Sequence, residues 1–241
     1  FTATANSGDT TMEVLNKKGK SIKSQLIKKK SYLYEKSIVY VNESDRKKLN
    51  LDTSWPQNDF LLFCIENIKG LFNRSSELHI LDLEKQKSYP LKTDFLNQYQ
   101  MLSSMVLDSN SKQLIIGPYL EKYNGTKTPR TKEIITLDFP SLNNPKTIPL
   151  NSTPQALVIQ PKYNHLYIFQ TKGLSIMDLS TNTPIKTLNI NLNRLGSLTK
   201  DKIIFTQSKK QETHLTILDT ETKSILKTIP GNFGFLSKTF E

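Results

Sequence analysis

The second half of the chain repeats itself at a fixed spacing. LSIMDLSTNTPIKTL (residues 174–188) and LTILDTETKSILKTI (residues 215–229) align without a gap, and IITLDFPSLNNPKTI (residues 134–148) falls on the same frame. Each segment has an aspartate at its fifth position and a Lys-Thr pair near its end. A period of about 40 residues is typical of stacked or radial repeat architectures. The chain is therefore predicted to contain copies of one structural unit.

One unit contains four short apolar runs separated by polar turns. Around Asp178 these runs are QALVIQ (155–160), HLYIF (165–169), LSIMD (174–178) and PIKTLNI (184–190). Their length and their content of Ile, Leu, Tyr, Phe and Thr predict β-strands. Many of the runs are apolar on both faces, which requires a sheet that is covered on both sides. Radial packing of small four-stranded sheets meets this requirement without helices.

The repeated aspartate has a local structural explanation. An Asp at the end of a strand accepts hydrogen bonds from backbone N–H groups two residues ahead and begins the turn to the next strand. We interpret as structural the four strong members of the series, which are Asp82, Asp138, Asp178 and Asp219. Asn16 and Asp52 match the same position more weakly. We call these turn-forming residues, one per repeat, the anchors, and six of them are predicted.

The two ends of the chain are predicted to complete each other. MEVLNKKGKSIKSQLI (residues 12–27) matches the last two strands of a unit, and NFGFLSKTF (residues 232–240) suits a first strand. Segments 1–30 and 231–241 then form one unit together. Such closure hides the edge strands that otherwise invite aggregation.

The segment TPQALVIQPKYNHLYIFQTKGLSIMDLSTNTPIKTLNI (residues 153–190) resembles the YVTN-type β-propeller repeat, and residues 201–230 resemble it more loosely. The resemblance implies that residues 1–241 form a single all-β propeller. With six anchors we expect about six four-stranded blades, with five or seven as alternatives. The family also implies an extracytoplasmic or secreted protein, often without enzyme activity of its own.

The charge of the chain is strongly positive and unevenly spread. The formal net charge is +11. The segment 12–48 alone holds eleven Lys or Arg residues against four Asp or Glu residues. Basic clusters favour anionic partners, so the Lys17–Lys48 region is a candidate for nucleic acid or a membrane surface. The one cysteine, Cys64, follows the apolar run FLLF and is predicted to be a small buried core residue.

The connections between the second and third strands differ greatly in length. In a propeller these loops open around the channel on one face, so an insertion there is the best functional signal in the sequence. The longest is GPYLEKYNGTKTPRTKE (residues 117–133), and residues 66–77 form another. Aromatic rings interleaved with cations can stack on a ligand and pair with its anionic groups. The predicted binding residues are Tyr119, Lys122, Tyr123, Arg130, Lys132 and Arg74.

The sequence holds no convincing catalytic set. His79, His165 and His214 fall in different repeats, and none has a metal-ligand spacing with a second histidine. We therefore predict no metal, no cofactor and no catalytic residues. The leading hypothesis is a non-enzymatic binding or scaffold module that holds a protein or an anionic polymer on its channel face. A propeller-type hydrolase or lyase is one alternative, and binding of nucleic acid or membrane through the basic N-terminal region is another.

Overall fold

A computed structural model of the protein describes residues 2–6, 9–15, 21–28, 31–68, 74–121, 129–209 and 212–231. The chain divides into two compact units, Phe1–Pro149 and Leu150–Glu241. Both units consist of antiparallel sheets, each of which is a meander of strands that follow one another in the chain.

The described residues of unit 1 form three sheets. Sheet 1 has β1 (Thr2–Asn6), β2 (Asp9–Leu15) and β3 (Ser21–Lys28). Sheet 2 has β4 (Ser31–Val41), β5 (Phe60–Ile68), β6 (Arg74–Asp82) and β7 (Lys87–Leu91), with helix α1 (Glu43–Leu49) between β4 and β5. A 3-10 turn (Asp94–Gln98) leads into sheet 3, which has β8 (Tyr99–Asp108), β9 (Gln113–Glu121), β10 (Glu133–Asp138) and β11 (Asn143–Pro149).

Within the ranges that are described, unit 2 forms two sheets of the same pattern. Sheet 4 has β12 (Pro154–Gln160), β13 (His165–Gln170), β14 (Gly173–Asp178) and β15 (Thr183–Leu188), with a 3-10 turn (Pro161–Tyr163) after β12. Sheet 5 has β16 (Leu192–Leu198), β17 (Lys202–Lys209), β18 (Glu212–Asp219) and β19 (Ser224–Pro230). The four strands predicted around Asp178 are confirmed to within two residues. Within the ranges that the structure describes, no helix is long and apolar enough to cross a bilayer.

The core of each unit lies between neighbouring sheets. In unit 1, one cluster joins sheet 2 to sheet 3 and contains Phe60, Leu62, Leu114 and Ile135, all fully or almost fully buried. Leu61 and Phe63 alternate with these residues along β5 and form a second cluster on the other face. The apolar patterning on both faces therefore has the predicted cause: each central strand is covered on two sides.

Cys64 belongs to the cluster between sheets 2 and 3, and only 3% of its surface is exposed. Burial raises the pKa of its thiol to about 12. The prediction of a buried apolar cysteine is confirmed, because a thiol in this setting stays protonated and inert.

Three of the four predicted turn aspartates have the predicted role, whereas the carboxylate of Asp138 bonds a side-chain amide in place of backbone N–H groups. The Asp178 carboxylate accepts hydrogen bonds from the backbone N–H groups of Ser180 (2.7 Å) and Thr181 (3.2 Å), and the first of these bonds is the main cause that lowers the pKa of Asp178. Asp82 and Asp219 make corresponding bonds at the ends of β6 and β18. Asp138 ends β10, where its carboxylate accepts from the Asn144 amide at 2.7 Å.

The Asp52 anchor was placed wrongly by the sequence. Asp52 does begin a turn, since its carboxylate accepts from the Ser54 N–H at 2.8 Å, but it follows α1 rather than a third strand. The N-terminal segment also differs, because it contributes the three strands of sheet 1 where two were predicted. The described residues thus form four sheets of four strands and one of three, compared with about six predicted blades. Residues 232–241 lie outside the described residues, so the shared blade stays a prediction.

Candidate functional site

The described members of the predicted binding set belong to one edge of unit 1, where β5 passes to β6 and β9 passes to β10; they are Tyr119, Arg130, Lys132 and Arg74. We call this edge of sheets 2 and 3 the loop edge. The apolar interface between the two sheets runs along β5 through Phe60, Leu62 and Cys64. Glu66 comes next on the same face of β5 and is only 2% exposed. The interface therefore changes from apolar to polar as it reaches the loop edge.

The β9–β10 connection is partly ordered by a ladder of hydrogen bonds that continues beyond the strands. The Glu121 N–H donates to the Pro129 carbonyl at 2.9 Å, and the Thr131 N–H donates to the Tyr119 carbonyl at 3.1 Å. The buried Thr131 hydroxyl donates to the Pro118 carbonyl. These bonds fix the flanks of the insertion against β9, so the side chains on the flanks have defined positions.

Tyr119 and Arg130 meet across this ladder. The guanidinium carbon of Arg130 lies 5.4 Å from the centroid of the Tyr119 ring, which is the geometry of a cation–π contact. Arg130 and Lys132 are exposed, and among the described residues no carboxylate forms an ion pair with either. The structure thus brings the half-buried Tyr119 into contact with the exposed Arg130, and the exposed Lys132 lies two residues further along the same flank.

The remaining predicted residues are less well placed by the structure. Arg74 is the first residue of β6 and pairs in backbone register with Ile68. It therefore belongs to the loop edge of sheet 2. Lys122 and Tyr123 lie outside the described residues, so their part in the site stays a prediction.

Sequence reasoning missed a tyrosine–glutamate pair that anchors the same edge. The Tyr99 hydroxyl at the start of β8 donates to Glu133 Oε1 at 2.5 Å, at the start of β10. Burial and this bond to a carboxylate raise the pKa of Tyr99 well above its usual range. The phenol therefore stays protonated at neutral pH and holds the Glu133 carboxylate beside the cationic flank.

The sequence also gave little warning of the buried polar groups on β5. Asn67 is 4% exposed, and neither amide atom of its side chain has a hydrogen-bond partner among the described residues. Glu66 and Asn67 follow directly on the apolar run FLLFCI. The abrupt change from apolar to polar residues at the end of this run is the one sequence feature that could have indicated buried polar groups on β5.

Exposed cations beside an aromatic ring can hold carboxylate, phosphate or sulfate groups and can stack on planar ligands. The three histidines lie apart, on β6, β13 and β18, and His79 and His214 each lie near a glutamate of their own strand, Glu77 and Glu212. In the described ranges, no three His, Cys, Asp or Glu side chains form a group that could hold a metal ion. The geometry of the loop edge thus suits binding by charge and stacking.

Solved structures of other proteins, among them the following three, share the fold of this chain at low sequence identity. The WD40 domain of Neurospora crassa Pan2 matches with a TM-score of 0.53 and 11% identity over 93% of this chain. Hydrazine synthase of Kuenenia stuttgartiensis matches with a TM-score of 0.51 and 8% identity over 73% of this chain. The dihydro-heme d1 dehydrogenase NirN in complex with DHE matches with a TM-score of 0.51 and 11% identity over 96%.

The chain spans 62%, 47% and 55% of these three structures, in the order given. No family model and no curated protein matches the chain, so the finer assignment to YVTN-type repeats is not shown. The neighbours comprise a WD40 domain and two enzymes, and likeness at this level of identity carries the fold without the activity. Together with the meander sheets, the comparisons show that this protein is an all-β propeller.

Proposed function

We propose that the protein is a non-enzymatic binding module that holds an anionic partner, either an acidic protein surface or an anionic polymer, at the loop edge of unit 1. The observation that carries the proposal is the contact of the exposed Arg130 with Tyr119, close in sequence to the exposed Lys132, on an insertion whose flanks are held by backbone hydrogen bonds. Binding residues are commonly found on loops that a rigid scaffold positions.

The electrostatics of the patch support this choice of partner. Arg130 lies over an aromatic ring, which holds the guanidinium group in place without neutralising it. The nearby Glu133 carboxylate already accepts a hydrogen bond from Tyr99. The net charge of +11 adds an attraction for anions that acts over long range.

The test measures binding of a fluorescently labelled polyglutamate chain and of a labelled single-stranded oligonucleotide by anisotropy. The variant Arg130→Glu/Lys132→Glu is expected to weaken binding by roughly tenfold or more, since each reversal replaces an attraction with a repulsion. For a protein partner, the parent protein and the variant are each immobilised, and the amount of partner that each captures is compared.

A matched control reverses two exposed lysines on outer strands of the other unit, Lys186→Glu/Lys227→Glu, which changes the net charge by the same amount. This control is expected to retain most of the binding. Equal loss in both variants would show that only net charge matters, and unchanged binding in the Arg130/Lys132 variant would refute the proposed face.

Export from the cytoplasm is part of the same proposal and is supported by the resemblance to YVTN-type repeats, a family often exported in bacteria. Fractionation of cells that express the natural full-length protein tests it. Recovery in the cytoplasmic fraction alone would contradict it.

A further inference from the structure

A second site lies at the opposite end of sheet 2, where residues 42–59 connect β4 to β5. An open pocket of about 550 Å³ is formed there between α1 and the segment that precedes β5. Its volume is within the range of sites that bind small molecules. The polar residues that line it, apart from an ion pair on α1, are Arg46, Asn50, Gln57, Asn58 and Asp59. No part of this lining belongs to the loop edge.

Arg46 is the cation in this pocket that no carboxylate neutralises among the described residues. Lys47 pairs with Glu43 at 2.7 Å. Asp59 accepts a hydrogen bond from the Tyr40 hydroxyl, and that bond is the main cause that raises the pKa of Tyr40 to about 12. Arg46 is left with a half-buried side chain, and in the described part of the chain its buried Nε has no hydrogen-bond acceptor. A half-buried cation without an ion-pair partner is costly, so this arrangement favours an added anion.

We propose that this pocket binds a small organic carboxylate, with the Arg46 guanidinium as its anchor. The fork of a guanidinium group matches a carboxylate with two parallel hydrogen bonds. The ligand carries hydroxyl or amide groups as well. The reason is that the amide nitrogens of Gln57 and Asn58 already donate to protein oxygens, which leaves their carbonyl oxygens as acceptors in the lining.

The balance of charges favours a monoanion over a phosphate dianion. Arg46 and Lys47 carry two positive charges and Glu43 and Asp59 carry two negative charges, so the lining is formally neutral. A single added charge is matched by Arg46, whereas a second one would lie near two carboxylates and be repelled.

The experiment titrates the protein with two carboxylates, glucuronate and N-acetylglycine, and follows binding by calorimetry and by the fluorescence of Trp55. Trp55 is the one tryptophan of the sequence, and its carbonyl accepts from the Gln57 amide at 2.9 Å. Glucuronate stands for a free sugar acid and N-acetylglycine for a peptide C-terminus, so the two arms separate the two sources of the same chemistry. Glucose, N-acetylglycinamide and inorganic phosphate are the comparison ligands.

We expect saturable binding of at least one carboxylate, no binding of the neutral analogues and weaker binding of phosphate. Absence of binding by both carboxylates, or tighter binding of phosphate, would overturn the proposal.

Variants assign the binding to Arg46. Arg46→Met is expected to lose affinity by about tenfold or more, because it removes a charge-assisted pair of hydrogen bonds. Lys48→Met, an exposed position on the same helix that does not line the pocket, is the control and is expected to bind normally.

Asp59→Asn is expected to change the affinity in the opposite direction from Arg46→Met. It therefore still tests the site if the Arg46 variant fails to fold. Removal of a negative charge from the lining is expected to tighten binding of the carboxylate several-fold. An unchanged affinity in both the Arg46 and the Asp59 variants would place the carboxylate elsewhere and refute the site.

Discussion

The first and second strands are joined very differently in sheet 2 and in sheet 4. In sheet 2 the connection covers residues 42–59 and includes α1. In sheet 4 it covers residues 161–164, which form one 3-10 turn that ends at Asn164 in a left-handed conformation. Both connections lie at the edge where the turn aspartates begin their turns, and both must close an apolar interface with the neighbouring sheet.

The long connection closes that interface with an aromatic side chain. The half-buried ring of Trp55 lies 5.9 Å from the ring of Phe60 on β5 and 5.0 Å from the ring of Phe139, which follows β10. Trp55 packs against the cluster that joins sheets 2 and 3. The insertion thus extends the apolar core of unit 1 to the edge.

The short connection closes the interface with hydrogen bonds. The Gln160 amide donates to the carbonyls of Thr199 (3.3 Å) and Lys200 (2.9 Å), between β16 and β17, and to the hydroxyl of Thr220 (3.2 Å), which follows β18. The Tyr167 hydroxyl donates to the Thr220 carbonyl at 2.9 Å. Unit 1 is therefore closed by an aromatic cap, the ring of Trp55, and unit 2 by a polar tie, the hydrogen bonds of Gln160 and Tyr167.

The same strand topology is thus closed at this edge in two chemically different ways. We call these two closures the seals: the aromatic cap of Trp55 in unit 1 and the polar tie of Gln160 in unit 2. A polar tie needs few residues because its donors come from the sheet itself, as Gln160 ends β12. An aromatic cap needs a longer connection, and the added residues also form the wall of the Arg46 pocket. The insertion that stabilises the edge is therefore the same one that makes a second site there.

The aromatic cap is tested by Trp55→Ala. We expect the free energy of unfolding to fall by about 3 kcal/mol, because a large half-buried side chain is removed and a cavity remains. Hydrogen exchange should rise in β5 and β10 and stay unchanged in sheets 4 and 5. Trp55→Phe, which keeps a ring at this position, is the control and should restore most of the stability. A uniform rise of exchange in both units would contradict a local cap.

The polar tie is tested by Gln160→Leu, at a position that is 3% exposed. The substitution keeps the approximate volume but leaves the carbonyls of Thr199 and Lys200 without this donor, at a cost of about 2 kcal/mol. Exchange should now rise in sheets 4 and 5 and stay unchanged in sheets 2 and 3. Stability equal to that of the parent protein would show that water replaces the tie and that the two seals are not equivalent.

The sequence predicts the features of this structure that depend on residues close together in the chain, and it fails where distant residues decide the outcome. Asp178 and Asp52 make the same kind of bond, to Ser180 N–H at 2.7 Å and to Ser54 N–H at 2.8 Å. Turn chemistry is therefore recognised correctly at both, but only tertiary packing decides whether a strand precedes the turn. This is why the strands near Asp178 are predicted well and the anchor at Asp52 is wrong.

The insertion itself left a signal in the sequence. Asn42 and Asp45 form a capping box at the start of α1, and such a pair is legible as the pattern that begins a helix. No pattern in the sequence indicates the Tyr99–Glu133 pair, because its two members are distant in the chain and meet only through the register of sheet 3. The sequence therefore predicts the cations of the loop edge but not the groups that hold them in place.

The smallest expected effect concerns His165, a titratable group at the polar edge of unit 2. It is 8% exposed, pairs in register with Gln160 on one side and Asp178 on the other, and stacks on Tyr163 at 6.0 Å. Burial, with a smaller contribution from Lys223 and against the opposing effect of Asp178, lowers the pKa of the imidazole.

Because the folded protein binds this proton less readily than the unfolded chain, stability is greatest above the ordinary histidine pKa. It decreases as the pH falls through about 6.5, where the unfolded chain takes up the proton first. Urea unfolding at pH 7.5 and pH 5.5 should therefore show a larger loss for the parent protein than for His165→Asn, whose side chain does not titrate. An equal loss in the parent and the variant would mean that the polar edge of unit 2 does not respond to protonation of His165, and that the two seals differ in chemistry but not in sensitivity to pH.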